Sequence, residues 1–389
     1  MSDRQYGIVV YGATGYTGRL VCEYLNNQYG VNGEVNWAMA GRSMDKLEQV
    51  RDEMGIPGDV PLVVADSGSQ DSIDAMVKST DVLLTTVGPY QLYGSDVVKA
   101  CVDAGTDYVD LCGEPAWMHE MIGKYNDAAK ASGARIVFST GFDSIPFDCG
   151  VYYLQQHAKA TLGSSVPRIK GRVRAMKGTF SGGTMASFKE TMAAAGRNPE
   201  LINVLINPFS LSEGFTGPAQ PPGNKPLFEE DLGSWSAPFV MASINTKNIH
   251  RSNFLLGHEY GEDFVYDEMM FTGPGDEGEK IANMVAQDKS MAESKLKPGE
   301  GPSKEERETG LYDVLFIGSN EKGELVKASV KGDMDPGYGS TSKMIAESAV
   351  CLHKNPDLAS GGLWTPAAAM GTALIERLEA NAGLTFAVE

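Results

Sequence analysis

Three glycines in "VVYGATGYTGRLV", Gly12, Gly15 and Gly18, follow an apolar run directly and open an amphipathic one. A strand that turns tightly into a helix exposes unpaired backbone N–H groups at the positive end of the helix dipole, which is a receptor for a phosphate group. Gly12 permits the turn, Gly15 lets the backbone approach a pyrophosphate, and Gly18 lets helix and strand pack closely. The spacing therefore predicts a dinucleotide cradle made of Gly12, Ala13, Thr14, Gly15, Tyr16, Thr17 and Gly18. At the end of the next strand "AMAGRS" places Gly41, Arg42 and Ser43 where an NAD site would carry an acid. A guanidinium there clamps a 2′-phosphate through paired, charge-assisted bonds, so NADP is expected over NAD. Glu34 begins that same strand and so falls at the wrong end. Asp66, closing the third strand, joins the cofactor set.

Further strand ends add polar groups to the same expected crevice. "TTVGPYQLYG" offers Val87, Gly88, Pro89 and Tyr90 against the cofactor, with Tyr90 and Tyr93 as proton donors if a nearby cation lowers their pKa, or as packing residues if none does. "YVDLCGEP" supplies Cys112, Gly113 and Glu114, and "STGFDSIPFDCG" supplies Asp143. Glu114 and Asp143 are read as groups that orient a ribose or amide or shuttle a proton, with Asp143 equally fit to cap a helix. Cys112 has no histidine near it in sequence and reads as a small packing residue. His258 and Glu259 look like the start of a zinc helix, yet no second histidine follows at the required spacing, so no metal is expected.

The elements that must carry these groups follow from periodicity. Six short apolar runs, from "YGIVVYG" to "RIVFST", alternate with amphipathic stretches in the first 150 residues, which predicts a doubly wound parallel sheet. From about residue 165 the pattern changes to longer strands, "RIKGRVRAMKG", "FVMASINTKNIHRS", "EDFVYDEMMF", "LYDVLFIG" and "ELVKASVKG", interrupted by helical stretches, as in a mainly antiparallel second sheet. "GEKIANMVAQDKSMAESKL" reads as a helix, the stretches 216–233 and 297–310 as surface loops, and the tail as helical, with Thr365 and Pro366 opening its last helix. The chain is thus an α/β protein with boundaries at 1–150, 151–332 and 333–389.

A length of 389 residues calls for more than one core, and a net charge of −18 excludes nucleic acid as a partner. Five scattered cysteines and no long apolar run point to a reducing compartment without a signal peptide, and so to a cytoplasmic protein, with attachment at a membrane periphery left open.

The ordered blocks "YGATGYTGRL", "VGPYQLYGSDVVKAC", "GTDYVDLCGE", "GFDSIPFDCG", "FSGGT", "DPGYGSTSKMIAESA" and "TPAAAMGTAL" resemble the saccharopine dehydrogenase-like oxidoreductases, and more closely their trans-acting enoyl reductase branch. That resemblance implies an NADP-binding Rossmann domain, a central α+β domain lining a substrate cleft, and a helical C-terminal return to the first domain. It implies reduction of a carbon–carbon double bond in an acyl, polyketide or lipid chain. Reduction of an imine between amino acid and keto acid, or a non-catalytic NADP-binding scaffold, are the alternatives. In the substrate role stand Ser181, Gly182, Gly183 and Thr184, which lead into a helix, and Tyr338. Asp335, Tyr338 and Thr341 either close the cleft from the far side or begin a docking helix. Arg168, Lys170, Arg172 and Arg174 share one strand face. They either meet a phosphopantetheine or carboxylate or form the wet side of the sheet. A partner synthase, a lipid surface and a homodimer are left open.

Arg42→Ala should weaken NADPH binding at least about tenfold, about 1.4 kcal/mol, and leave NADH nearly unchanged. Equal losses in titrations with the two cofactors would overturn the 2′-phosphate assignment.

Overall fold

A computed structural model describes residues 4–31, 33–179, 182–290 and 299–389. In chain order its strands are β1 (Tyr6–Tyr11), β2 (Trp37–Gly41), β3 (Leu62–Val64), β4 (Thr80–Thr85), β5 (Asp107–Val109), β6 (Arg135–Val137), β7 (Arg168–Lys177), β8 (Leu227–Glu229), β9 (Ser234–Pro238), β10 (Val265–Gly273), β11 (Leu311–Ser319), β12 (Leu325–Gly332), β13 (Gly362–Trp364) and β14 (Leu384–Val388). They form two seven-stranded sheets, ordered β13-β6-β5-β4-β1-β2-β3 and β14-β12-β11-β7-β10-β9-β8. Every pairing in the first sheet is parallel. The second is antiparallel except where β10 runs parallel to β7.

The uninterrupted apolar run of β1 has a direct cause. Ile8 and Val10 enter one core, and Val9 and Tyr11 enter the other, so both faces of the strand are buried. The first of these cores continues through Phe147 and Leu154 of the helix Ile145–Leu162 to Val173, Phe316 and Val330 of the second sheet. Burial of each such side chain contributes about 1.5–3 kcal/mol. The two sheets therefore share one apolar interior.

Several elements differ from the sequence reading. The stretch read as a strand at 239–252 is mostly the helix Ala242–Leu255, which buries Asn245, Lys247, Asn248, Arg251 and Ser252 along with Ile244 and Ile249. A helix enclosed on all sides shows no single apolar stripe, and that stripe is what distinguishes helix from strand in a sequence. The expected long helix over 278–296 is observed as Gly275–Ala286, and residues 291–298 lie outside the described part. The two stretches read as loops hold the short edge strand β8 and the helix Lys304–Glu308. The tail contributes strands as well as helices, since β13 extends the first sheet and β14 the second. Among the described residues no helix is long and apolar enough to cross a membrane.

The basic residues of the β7 stripe are each paired with acids, one fully buried and three part-exposed. Arg172 is buried and bonds Glu229 through Nε at 2.7 Å and Nη2 at 2.9 Å, and Asp267 through Nη2 at 2.7 Å. Arg168 pairs with Asp267, Lys170 with Glu229 and Asp231, and Arg174 with Asp313 and Glu389. Burial pushes the Glu229 carboxyl up, but the bonds and charge of Arg172, with Ser236 and Lys170, outweigh it and hold the group at about 2.

Removing Arg172 takes from Glu229 and Asp267 the one buried cation they share and leaves each only a part-exposed partner, Lys170 and Arg168. Arg172→Ala should cost about 3–5 kcal/mol of stability, whereas Arg174→Ala, on the half-exposed pair, should cost about 1 kcal/mol or less. Equal losses in denaturant unfolding of the two variants would contradict this account.

Candidate functional site

The carboxyl ends of β1, β2, β4 and β5, and the turn after β6, converge on one edge of the first sheet. The chain leaves β1 at Gly12, whose φ of 93° suits glycine, and enters the helix Tyr16–Tyr29 through Gly15. A Cβ on Gly18 would lie 2.1 Å from the Gly12 carbonyl oxygen, and one on Gly12 would lie 2.7 Å from Thr86 Oγ1. Glycine is thus required where the loop folds against the sheet. No side chain caps the helix at Gly15, and its first turn carries no acidic residue. Gly15 is exposed, while Ala13 is buried and Thr14, Tyr16 and Thr17 are half-buried around it. This surface presents N–H groups that fit a pyrophosphate.

Gly41 packs under the same loop, its ideal Cβ 3.6 Å from the Thr14 methyl. Arg42 and Ser43 follow it at the surface, with Ser43 capping the next helix by accepting the Lys46 N–H at 3.4 Å. Arg42 forms no ion pair among the described residues, and Asp66 shares its neighbourhood, since both act electrostatically on Tyr11. The Asp66 carboxylate accepts the Gly68 N–H at 2.9 Å, which shapes the turn after β3.

After β4 the chain passes through half-buried Val87 and a cis Gly88–Pro89 peptide into the short helix Tyr90–Tyr93. Glu114, expected to orient a ribose or move a proton, instead accepts the N–H groups of Tyr90 and Gln91, each at 2.9 Å. Tyr90 is also structural. Its hydroxyl donates to the Thr85 carbonyl at 3.3 Å and accepts the Leu111 N–H at 3.0 Å, and burial pushes its pKa well above the ordinary value. The activation by a cation considered from the sequence is reversed, because burial disfavours the phenolate and the neighbouring Asp110 and Glu114 add negative charge rather than positive. Tyr93 projects into solvent at 44% exposure, beside Leu92 at 54%. Cys112 is fully buried, its Sγ accepting the Glu114 N–H at 3.3 Å.

Asp143 is different. An ideal Cβ on Gly113 would lie 3.3 Å from its Oδ2, which places the carboxyl against the turn after β5. It forms no hydrogen bond or ion pair among the described residues. It does not cap the following helix, whose N-cap is Ser144. Asp143 keeps some contact with solvent yet lies deep enough for burial to push its carboxyl up to about 7. Asp110 is also raised to about 7 by burial, but its oxygens are occupied by Cys112 N–H at 3.0 Å, Ser139 N–H at 2.8 Å and Tyr108 OH at 2.9 Å. Asp143 alone of the pair is raised and unengaged.

The far wall comes from elsewhere in the chain. The helix Gly182–Arg197 begins with buried Gly182 and exposed Gly183, and Thr184 Oγ1 lies 3.0 Å from Tyr338 OH. Ser181 lies outside the described residues. Tyr338 meets the ring of Tyr16 edge-on at 5.2 Å. Ser187 Oγ stands 3.8 Å from the ideal Cβ of Gly88, and Gln91 Nε2 donates to Thr191 Oγ1 at 3.3 Å. Asp335 holds the turn by accepting the Tyr338 and Gly339 N–H groups, and Thr341 Oγ1 accepts the Phe142 N–H at 2.9 Å. Of the two readings of the tail block, the helix start is observed, since Asp335 and Thr341 begin and anchor the helix Thr341–Lys354, while Tyr338 is buried between Tyr16 and Thr184.

Arg307, Ser187 and Thr191 were not singled out from the sequence. The Ser303–Glu306 capping box, which sets the helix bearing Arg307, was a readable signal. Nothing local marked Ser187 or Thr191.

The profile of the saccharopine dehydrogenase NADP binding domain matches residues 8–137, which carry the glycine turn and the strand ends through β6. A trans-acting enoyl reductase of Mycobacterium ulcerans is 35% identical over 408 aligned residues, covering 97% of this chain and 96% of the relative. A Mycobacterium tuberculosis protein provisionally named a trans-acting enoyl reductase is 38% identical over the same coverage. Among solved structures, the apo saccharopine dehydrogenase (L-Glu forming) of Saccharomyces cerevisiae superposes with a TM-score of 0.55 at 10% identity, covering 99% of this chain and 100% of that one, a likeness of fold. On this identity and coverage, the chain belongs to the saccharopine dehydrogenase-like family of NADP-binding proteins, in the trans-acting enoyl reductase branch.

Proposed function

We propose that this protein is an NADPH-dependent reductase that saturates the carbon–carbon double bond of an enoyl chain of the acyl, polyketide or lipid class, supplied by a partner synthase. In this reading residues 1–150 hold the cofactor, 151–332 shape the substrate side, and 333–389 join the two. The residues present fit the cofactor. Gly12 to Gly18 would hold the pyrophosphate and Arg42 the 2′-phosphate, while the turns at Val87–Pro89 and Gly113 would flank the nicotinamide half. When bound, NADPH supplies the hydride.

The observation that carries the reading is Asp143, a carboxyl in the crevice wall that is raised to about 7 and has no partner among the described residues. Saturating a double bond requires a hydride on one carbon and a proton on the other. An acid that still holds its proton near neutral pH can deliver it directly. Asp143 takes that role here in preference to Tyr90 and Tyr93. An enoyl group asks little else of the protein beyond orientation and exclusion of water. The imine alternative would need cations for amino-acid carboxylates, and the four basic residues of β7 are all paired with acids.

The test is transfer of deuterium from NADPH labelled at the nicotinamide C4 to an enoyl thioester, read by mass spectrometry. Label on the alkyl carbon of a saturated product is expected. Label only in a secondary amine, when keto acid and amino acid are offered, would overturn the enoyl reading.

Asp143→Asn should lower kcat about 100-fold or more with NADPH affinity retained. The acid acts while protonated, so kcat for the parent should be flat below pH about 7, the value to which burial raises Asp143, and fall above it. A variant that keeps the parent's rate and pH profile would remove Asp143 from the chemistry.

A further inference from the structure

We propose that Arg307 is a cofactor-binding residue contributed from outside the glycine-turn region, its guanidinium pairing with the pyrophosphate received at the start of the helix Tyr16–Tyr29. The assignment rests on the reading of that turn as an NADP cradle.

Residues 301–307 form a strap across Tyr16, the first residue of that helix. An ideal Cβ on Gly301 would lie 2.6 Å from the Tyr16 ring, and the Tyr16 hydroxyl donates to the Pro302 carbonyl. Arg307 Nη1 donates to Tyr16 OH at 2.9 Å and to the Pro302 carbonyl at 3.0 Å, with Cζ 5.9 Å from the centroid of the ring. The guanidinium is thereby tied to the rim of the uncapped helix start.

Its charge is met by no direct ion pair, although the Asp335 carboxylate is close enough to feel it. A guanidinium offers five N–H donors, and among the described residues Nε and Nη2 make no hydrogen bond and Arg307 makes no ion pair. This occurs in a chain of net charge −18, where carboxylates are abundant. Two acids of this neighbourhood, Asp335 and Glu306, turn their oxygens to other donors. Asp335 accepts the N–H groups of Tyr338 at 3.0 Å and Gly339 at 2.7 Å, and Glu306 accepts Ser303 N–H at 2.7 Å and Oγ–H at 2.8 Å. A half-buried arginine whose only partners are neutral oxygens, beside unpaired helix N–H groups, matches a phosphate that bridges both. The fork of Arg307 is also oriented in advance by Tyr16, which reduces the entropy lost on pairing.

The experiment is calorimetric titration of the protein and two variants, Arg307→Gln and Arg307→Lys, with NADPH and with adenosine 2′-monophosphate, at several salt concentrations. Gln keeps a donor for Tyr16 and removes the charge. Arg307→Gln is expected to bind NADPH about tenfold more weakly with a shallower salt dependence, Arg307→Lys to fall between, and the 2′-monophosphate, which carries neither phosphate of the pyrophosphate, to bind all three alike. Unchanged NADPH affinity in Arg307→Gln overturns the assignment alone, as does an equal loss for both ligands, which would mark a loosened strap. Absence of NADPH binding by the parent protein would overturn the cradle itself.

Discussion

Glu347 is a fully buried carboxylate on which three helices converge. It accepts the hydroxyls of Tyr24 at 2.6 Å and Tyr29 at 2.5 Å, both on the helix that leaves the glycine turn, and Arg377 Nε at 2.9 Å from the last helix. An ion so deeply buried is tolerable only with partners on every side, and removing one such partner typically costs about 3–5 kcal/mol. Because those partners are distant in sequence, the contact fixes the tail against the glycine-turn helix. Two consequences follow from the fixed tail. Tyr338 is held against Tyr16 at one end of the helix Thr341–Lys354, and beyond its other end the chain supplies β13 to the first sheet and β14 to the second.

That arrangement explains why the crevice edge is built largely from backbone. Where strands end under a roof held in place from elsewhere, each polar side chain either satisfies a local backbone group or stays unpaired. Glu114 takes the first course with Tyr90 and Gln91, and Asp110 does so with Cys112 and Ser139. Asp143 takes the second, and burial without a partner favours its neutral form. The same burial that raises Asp110 produces scaffold there and a free acid at Asp143, so the hydrogen-bond inventory separates the two where pKa does not.

The fold was legible where one element carries its own signal. The apolar run of β1 and the spacing of Gly12, Gly15 and Gly18 determine strand, turn and helix from adjacent residues, and the structure places them so. The helix Ala242–Leu255 was not legible, because polar residues such as Asn248 and Ser252 are buried against Ser144 and Asp148, far away in sequence. The role of the β7 stripe was hidden for a related reason. Spacing showed that Arg172 shares a face with its neighbours, while its acids, Glu229 and Asp267, lie on β8 and β10. The candidate site divides the same way: the glycine turn and Arg42 are local features, whereas the engagement of Tyr90 and Glu114 depends on contacts across 21 to 24 positions.

Charge offers the last step. In so acidic a chain most arginines find a carboxylate, as Arg135 does with Asp107 and Arg377 with Glu347. Arg42 and Arg307 form no ion pair among the described residues, and both stand near the glycine turn, one just past the end of β2 and the other on the strap over Tyr16. Cations at a surface are well hydrated and their ion pairs contribute little, so stability alone does not explain their shared location. A single ligand with a phosphate near each arginine, as proposed, would account for that location. The proposed cofactor carries its negative charge in two places, the 2′-phosphate and the pyrophosphate, and the two arginines divide along the same line. The general negative field would repel that ligand at a distance, so in the proposed reading its affinity would come from short-range contacts, the N–H groups of the glycine turn and these two side chains, more than from the whole surface.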